Sequence, residues 1–372
     1  MKIGVLTSSR ADYGIYLPLL DKLKTDPYFV IELIAFGSHL TKNHGYTIDD
    51  IVEDEYDTIY EIVSLINDDS ENGIAISYGK TVLEFAKFWA TNKFDLVFCL
   101  GDRFEMSAAV QASIPFGVKL AHFHGGETTL GAIDNVYRHQ ITIASKFHFV
   151  STDDHLRKVR ELTGSSDYVY NVGSLSLANI KTFETQDRLV FLDKYGIENA
   201  PYLLATFHPE TVSVNNNIVF AKEMKNTLSV LSDEINVVIT MPNADTMGSL
   251  YRKEIYELKS TKPDKIFVVE NFGKTDYFNA MFHCSFLLGN TSSGIIEAAS
   301  LSKYVINVGN RQKGRAQSAN VHNVDYDLKE IIGAYIEISK QSVYTEKNIY
   351  YKPRTVDIII NALKFINEGN VC

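Results

Sequence analysis

The sequence predicts two doubly wound, Rossmann-like α/β domains facing a central cleft. Three observations carry that prediction. Short apolar runs bounded by Gly, Asp or Ser alternate with helix-length amphipathic segments along the chain. The same alternation restarts after Gly173. And 372 residues are too many for one core, since single cores stop growing near about 250–300 residues.

In the first half, residues 3–7, 30–36, 96–100, 118–123 and 147–150 are the strand candidates. Between them lie periodic segments at 15–24, 75–90, 104–113 and 135–144. Wholly apolar strands separated by helices imply a parallel sheet covered on both faces. The second set of strands is expected at 202–207, 237–240, 266–269, 286–288 and 305–308. The polar stretch 179–187 reads as a linker or an irregular crossover. In the last helix candidate, Val356, Ile359, Ile360, Leu363 and Ile366 fall near one face. The expected domains are therefore 1–173, with a helix at 354–367 packing back on it, and 174–353.

A net charge of −10 argues against nucleic acid or an anionic membrane as the main partner. Any phosphate would be bound at a local site built from backbone amides and a few arginines. Cys99, Cys284 and Cys372 cannot form a disulfide framework, and two of them sit in apolar runs as buried thiols would. No apolar stretch approaches the roughly 20 residues that span a bilayer. Residues 1–7 lack the basic and apolar regions of a signal peptide. The expectation is a cytoplasmic enzyme.

Ligands of doubly wound sheets bind outside the carboxyl ends of the strands, so the chemistry is sought there. After the first strand, Ser8-Ser9-Arg10 offers an anion-binding turn with a planar guanidinium; a plain helix cap would leave the same trace. The glycine pattern of a dinucleotide site is absent. Gly101-Asp102-Arg103 places a carboxylate at the next strand end, where a helix N-cap is the alternative. The densest cluster is His122-Phe123-His124-Gly125-Gly126-Glu127, followed by Asp134 and Arg138-His139. Strand alternation would put His122 and His124 on one face, and Asp134 could cap the helix it precedes. In the second half, His208 and Asn243 each follow a strand. The run Asn290-Thr291-Ser292-Ser293-Gly294 leads into a helix carrying Glu297, and its amides and hydroxyls suit a diphosphate. Arg311 opens a basic loop at a further strand end.

Together these residues resemble the hydrolysing UDP-N-acetylglucosamine 2-epimerases of sialic- and legionaminic-acid-type biosynthesis. The motifs are Ser9-Arg10-Ala11-Asp12-Tyr13-Gly14, Gly101-Asp102-Arg103, His122-x-His124-Gly125-Gly126-Glu127, Asp134 with Arg138-His139, and His208-Pro209-Glu210. They continue through Asn243-Ala244-Asp245 and Asn290-Thr291-Ser292-Ser293-Gly294 to Arg311-Gln312-Lys313-Gly314-Arg315. The resemblance implies a glycosyltransferase-B-like pair of domains with the nucleotide held mainly by the second. It implies elimination of UDP to a 2-acetamidoglucal and hydration to N-acetylmannosamine, with no cofactor and no metal. Carried over by position, Asp102, Glu127, Asp134 and His208 form the catalytic group together with His124, which stands where many members have a catalytic glutamate; Glu127, Asp134 and His124 are the candidates for the base. Arg10, Arg103, Ser292, Glu297 and Arg311 match nucleotide-binding positions. His122, Asn243, Asn290, Thr291, Ser293 and Gly294 join them as binding candidates. A homodimer or homotetramer is implied as well. UDP- or GDP-linked N,N′-diacetylbacillosamine is the alternative substrate. A retaining glycosyltransferase and a metal-dependent hydrolase using His122, His124, Glu127 and His139 are the more distant readings.

Overall fold

The structure, a computed structural model, describes residues 1–41, 46–68, 70–212, 214–242 and 247–367. It divides into two compact units. Unit 1 comprises Met1–Glu127, Asp134–Asn179 and the chain from Tyr350 onward; unit 2 comprises Thr128–Ile133 and Ile180–Ile349.

Unit 1 runs β1 (Lys2–Thr7), α1 (Arg10–Thr25), β2 (Val30–Phe36), α2 (Ile48–Glu53), β3 (Ile59–Ile62), α3 (Glu71–Thr91) and β4 (Leu96–Leu100). It continues with α4 (Phe104–Ser113), β5 (Leu120–Phe123), α5 (Asp134–Ala144), β6 (Phe147–Val150), α6 (Asp153–Thr163) and β7 (Val169–Asn171). All pairings are parallel, in the order β3-β2-β1-β4-β5-β6-β7. Alternation along β4 shows why the sheet needs two covers. Leu96 and Phe98 join a core with Tyr16, Leu19 and Leu20 of α1. Val97 and Cys99 join the opposite core with Phe85 and Trp89 of α3, Met106 of α4 and Ile141 of α5.

Unit 2 runs α7 (Arg188–Lys194), β8 (Tyr202–Thr206), α8 (Asn217–Leu231), β9 (Asn236–Thr240), α9 (Gly248–Thr261), β10 (Ile266–Val269) and α10 (Gly273–His283). Then come β11 (Leu287–Gly289), α11 (Ser292–Ile296), β12 (Val305–Val308), β13 (Val321–Val324) and α12 (Leu328–Ser339). Its parallel sheet has the order β10-β9-β8-β11-β12-β13. The last helix, α13 (Thr355–Asn367), returns to unit 1, where Ile359 and Leu363 are fully buried in the α1 core.

Each sheet reverses its strand order once, between β1 and β4 and between β8 and β11. Those reversals are the switch points at which such sheets leave a crevice outside the strand ends.

Candidate active site

At the first switch point, Ser9 caps α1: its hydroxyl accepts from the Asp12 N–H at 3.3 Å, and Arg10 stands exposed as the first helical residue. Asp12 is buried and accepts from Ser8 N and Ser8 Oγ at 3.1 and 2.6 Å. Burial raises its pKa, against the pull of Arg103. At the end of β4, Gly101 turns with φ +76° and Arg103 takes the N-cap position of α4, so Asp102 is not the cap. The Asp102 carboxylate, about a quarter exposed, is ion-paired with the buried Arg138 of α5. Arg103 pairs with the buried Glu105 at 2.9 Å.

The end of β5 departs from the expected alternation. The strand stops at Phe123, and His124 adopts φ +63°, so His122 and His124 do not share a strand face. His122 is fully buried, with Nε2 2.9 Å from the Gly101 carbonyl and Nδ1 3.1 Å from Thr142 Oγ1. Burial drives its pKa down to about 3. The imidazole has no exposed surface, and both of its nitrogens are engaged within the protein. His124 is also buried: Nε2 accepts from the Leu175 N–H at 3.4 Å, and Nδ1 lies 3.4 Å from Glu127 Oε1. Glu127 is buried, with Ser151 Oγ at 3.5 Å and its carbonyl accepting from Arg138 Nη1 at 3.1 Å. Asp134 is the first residue of α5 rather than its cap and is partly exposed. Among the described residues, no three His, Cys, Asp or Glu side chains are grouped as a metal site would require.

At the second switch point, Asn290 is the hub. Fully buried, it accepts from His208 N–H at 2.7 Å and donates to the His208 carbonyl at 2.8 Å, as a neighbouring strand would. Its own carbonyl accepts from Arg311 Nη1 at 3.2 Å and Gln312 Nε2 at 2.8 Å. Asn290 thus joins the ends of β8, β11 and β12 from a fully buried position. Thr291 caps α11, and Ser293 Oγ lies 2.8 Å from the Tyr277 hydroxyl. Ser292 opens α11, Gly294 is buried against Val305, and Glu297 closes the helix, 8% exposed. Because α11 has only five residues, donors there are local amides and hydroxyls rather than a long helix dipole. Asn243 lies outside the described residues.

Arg138 and Glu210 lie within the family motifs, but the sequence alone assigns neither a role. Glu210 is buried, and its Oε1 accepts from the Asn310 N–H at 2.7 Å, fixing the loop that carries Arg311. A signal existed for Arg138: it lies four residues after Asp134, on the same helix face.

The sequence pattern of the family described as UDP-N-acetylglucosamine 2-epimerase matches residues 21–364. The chain belongs to that family. The polysialic acid biosynthesis protein P7 of Escherichia coli is 32% identical over 99% of this chain and 94% of its own length. The UDP-N,N′-diacetylbacillosamine 2-epimerase (hydrolyzing) of Legionella pneumophila is 30% identical over 98% of this chain and 96% of its own. The crystal structure of the Neisseria meningitidis UDP-GlcNAc 2-epimerase bound to UDP-GlcNAc covers 98% of this chain and all of that one, with a TM-score of 0.80 at 17% identity. At that identity the likeness speaks for fold: two Rossmann-like domains of the glycosyltransferase-B-like class. Among the described residues, no helix of this epimerase-family chain is long and apolar enough to cross a membrane.

Proposed function

We propose that this chain is a hydrolysing sugar-nucleotide 2-epimerase converting UDP-N-acetylglucosamine to N-acetylmannosamine and UDP. The observation that carries the reading is the Asp102 carboxylate, fixed by Arg138 yet reachable, at the switch point of a family that inverts C2 of such sugars. A carboxylate removes the C2 proton, the C1–O bond breaks, and UDP leaves with the electron pair. The resulting 2-acetamidoglucal takes a proton at C2 from the opposite face and hydroxide from water at C1.

Asp102 and Asp134 are both partly exposed and are the proton-transfer pair in this reading. His124 and Glu127 face each other in buried positions, so His124 supports Glu127 rather than serving as the base. His208, Arg10, Arg103, Ser292, Thr291, Ser293, Glu297 and Arg311 serve the nucleotide and its leaving diphosphate. The reading includes a cytoplasmic homodimer or homotetramer needing no cofactor, and light scattering checks the assembly.

A second substrate is favoured by a specific observation. Relatives from Legionella pneumophila and Campylobacter jejuni, each 30% identical, carry names for UDP- or GDP/UDP-linked N,N′-diacetylbacillosamine 2-epimerases. The test is incubation with each sugar nucleotide, without acceptor or metal, and separation of the products. Free epimerised sugar plus UDP is the expected result, and the faster substrate decides between the two. An epimerised sugar still linked to UDP, or no turnover of either compound, contradicts the proposal.

A further inference from the structure

One face of α5 grips the Gly101–Asp102 turn at two points. Arg138 pairs with the Asp102 carboxylate and reaches the Glu127 carbonyl with its other terminal nitrogen. Thr142, one helical turn further on, places Oγ1 2.9 Å from the Arg138 carbonyl and 3.1 Å from His122 Nδ1. The opposite nitrogen of that ring, Nε2, meets the Gly101 carbonyl at 2.9 Å. The ring of contacts closes on a single dipeptide: one end holds the Gly101 backbone, the other the Asp102 side chain. Gly101 sits at φ +76°, so the direction in which Asp102 projects is set by a turn that a substituted residue would strain.

The proton inventory fixes the form of the imidazole. A carbonyl oxygen only accepts, so Nε2 must carry the proton. The ring is wholly buried, and its depressed pKa keeps it uncharged near neutrality, leaving a lone pair on Nδ1. That lone pair faces the Thr142 hydroxyl, whose single proton can go to Nδ1 or to the Arg138 carbonyl but not to both. Close packing guards the arrangement: a Cβ added at Gly125 would stand 2.8 Å from His122 Nδ1.

We infer that His122 is a positioning residue whose Nε2–H holds the Gly101 carbonyl and thereby aims the Asp102 carboxylate, with Thr142 and Arg138 completing the clamp. The inference rests on the reading of Asp102 as a proton-transfer group. It assigns His122 an action through Asp102 and not through substrate. Loss of aim costs turnover more than binding, because a misplacement of about 1 Å at a reacting group costs about a hundredfold in rate.

Two substitutions separate aim from packing. The amide nitrogen of glutamine falls near the Nε2 position, whereas that of asparagine falls near Nδ1. His122→Gln is expected to keep kcat within about threefold of the parent, and His122→Asn to lose about a hundredfold in kcat with KM within about threefold. Arg138→Lys keeps the charge but loses the fork, and is expected to lower kcat by at least tenfold, again with little change in KM. It carries the test if the asparagine variant does not fold. Independently of turnover, nitrogen-15 NMR of histidine-labelled protein at pH 7 is expected to show the His122 ring protonated on Nε2 alone. Parental kcat in His122→Asn or Arg138→Lys, equal damage from glutamine and asparagine in folded protein, or a proton on Nδ1 would each overturn the clamp. A parent protein that turns over no sugar nucleotide overturns the proposed reaction instead, while the NMR result still judges the geometry.

Discussion

Asp102 combines two properties: a fixed orientation from a buried guanidinium, and about a quarter of its side chain open to solvent. Asp102→Asn keeps the size and removes the proton acceptor. It is expected to lower kcat by about a hundredfold or more while leaving UDP affinity unchanged, as single-turnover kinetics and calorimetry would show. Arg311→Ala is the converse case. Loss of a charge-assisted contact should weaken UDP binding by about tenfold or more, and unchanged affinity would contradict its assignment.

Three imidazoles of unit 1 make a further residue-scale prediction. Burial lowers the pKa of His39 and His148 to about 4 and that of His122 to about 3, against about 6.5 in an unfolded chain. Above pH 6.5 neither state binds these protons, and stability is unaffected. Below it the unfolded chain takes up protons that the fold refuses, so stability falls until the folded rings titrate as well. Asp12, with its pKa raised by burial, acts in the opposite sense at the acid end. The urea midpoint of unit 1 should therefore drop between pH 6.5 and pH 4.5; a flat midpoint would contradict the buried neutral rings.

At the scale of elements, the strands that carry the site were legible because they are central. β1, β4, β5, β8, β11 and β12 are flanked on both sides in their sheets and read as mainly apolar runs, with His122 in β5 and Asn307 in β12 as polar interruptions. The strands not legible in the sequence, β3, β7 and β13, are all sheet edges. Their residues are mostly part-exposed and include polar side chains such as Glu61 and Asn323, so no apolar run marks them. Site residues divide similarly. Asp102 and His208 followed from strand ends, but the burial of His122 and Asn290 depends on partners twenty or more residues away and leaves no local trace. Gly289 illustrates a backbone requirement at the same level: with φ +145°, an added Cβ would lie 1.9 Å from the Thr206 carbonyl. Gly289→Ala should destabilise unit 2 by about 2–4 kcal/mol in urea unfolding, because β11 and β8 must part to admit it.

For the whole molecule, the chain order and the assignment to units do not coincide. Residues 128–133 belong to unit 2 although Glu127 and Asp134, on either side, belong to unit 1. Likewise α13 follows the whole of unit 2 yet completes the core of unit 1, where Leu363 is fully buried. Leu363→Ala should cost about 2–5 kcal/mol. Hydrogen exchange should report that loss in β1, β2 and α1 and leave the amides of β8 to β12 protected as before. Faster exchange confined to unit 2 would contradict this division of the chain.

Inversion at C2 by elimination and hydration can be followed by proton NMR in deuterated water with UDP-N-acetylglucosamine and UDP-N,N′-diacetylbacillosamine. The expected products are UDP and a free epimerised sugar that carries deuterium at C2. Free sugar that retains its C2 proton, or keeps its original C2 configuration, would contradict it.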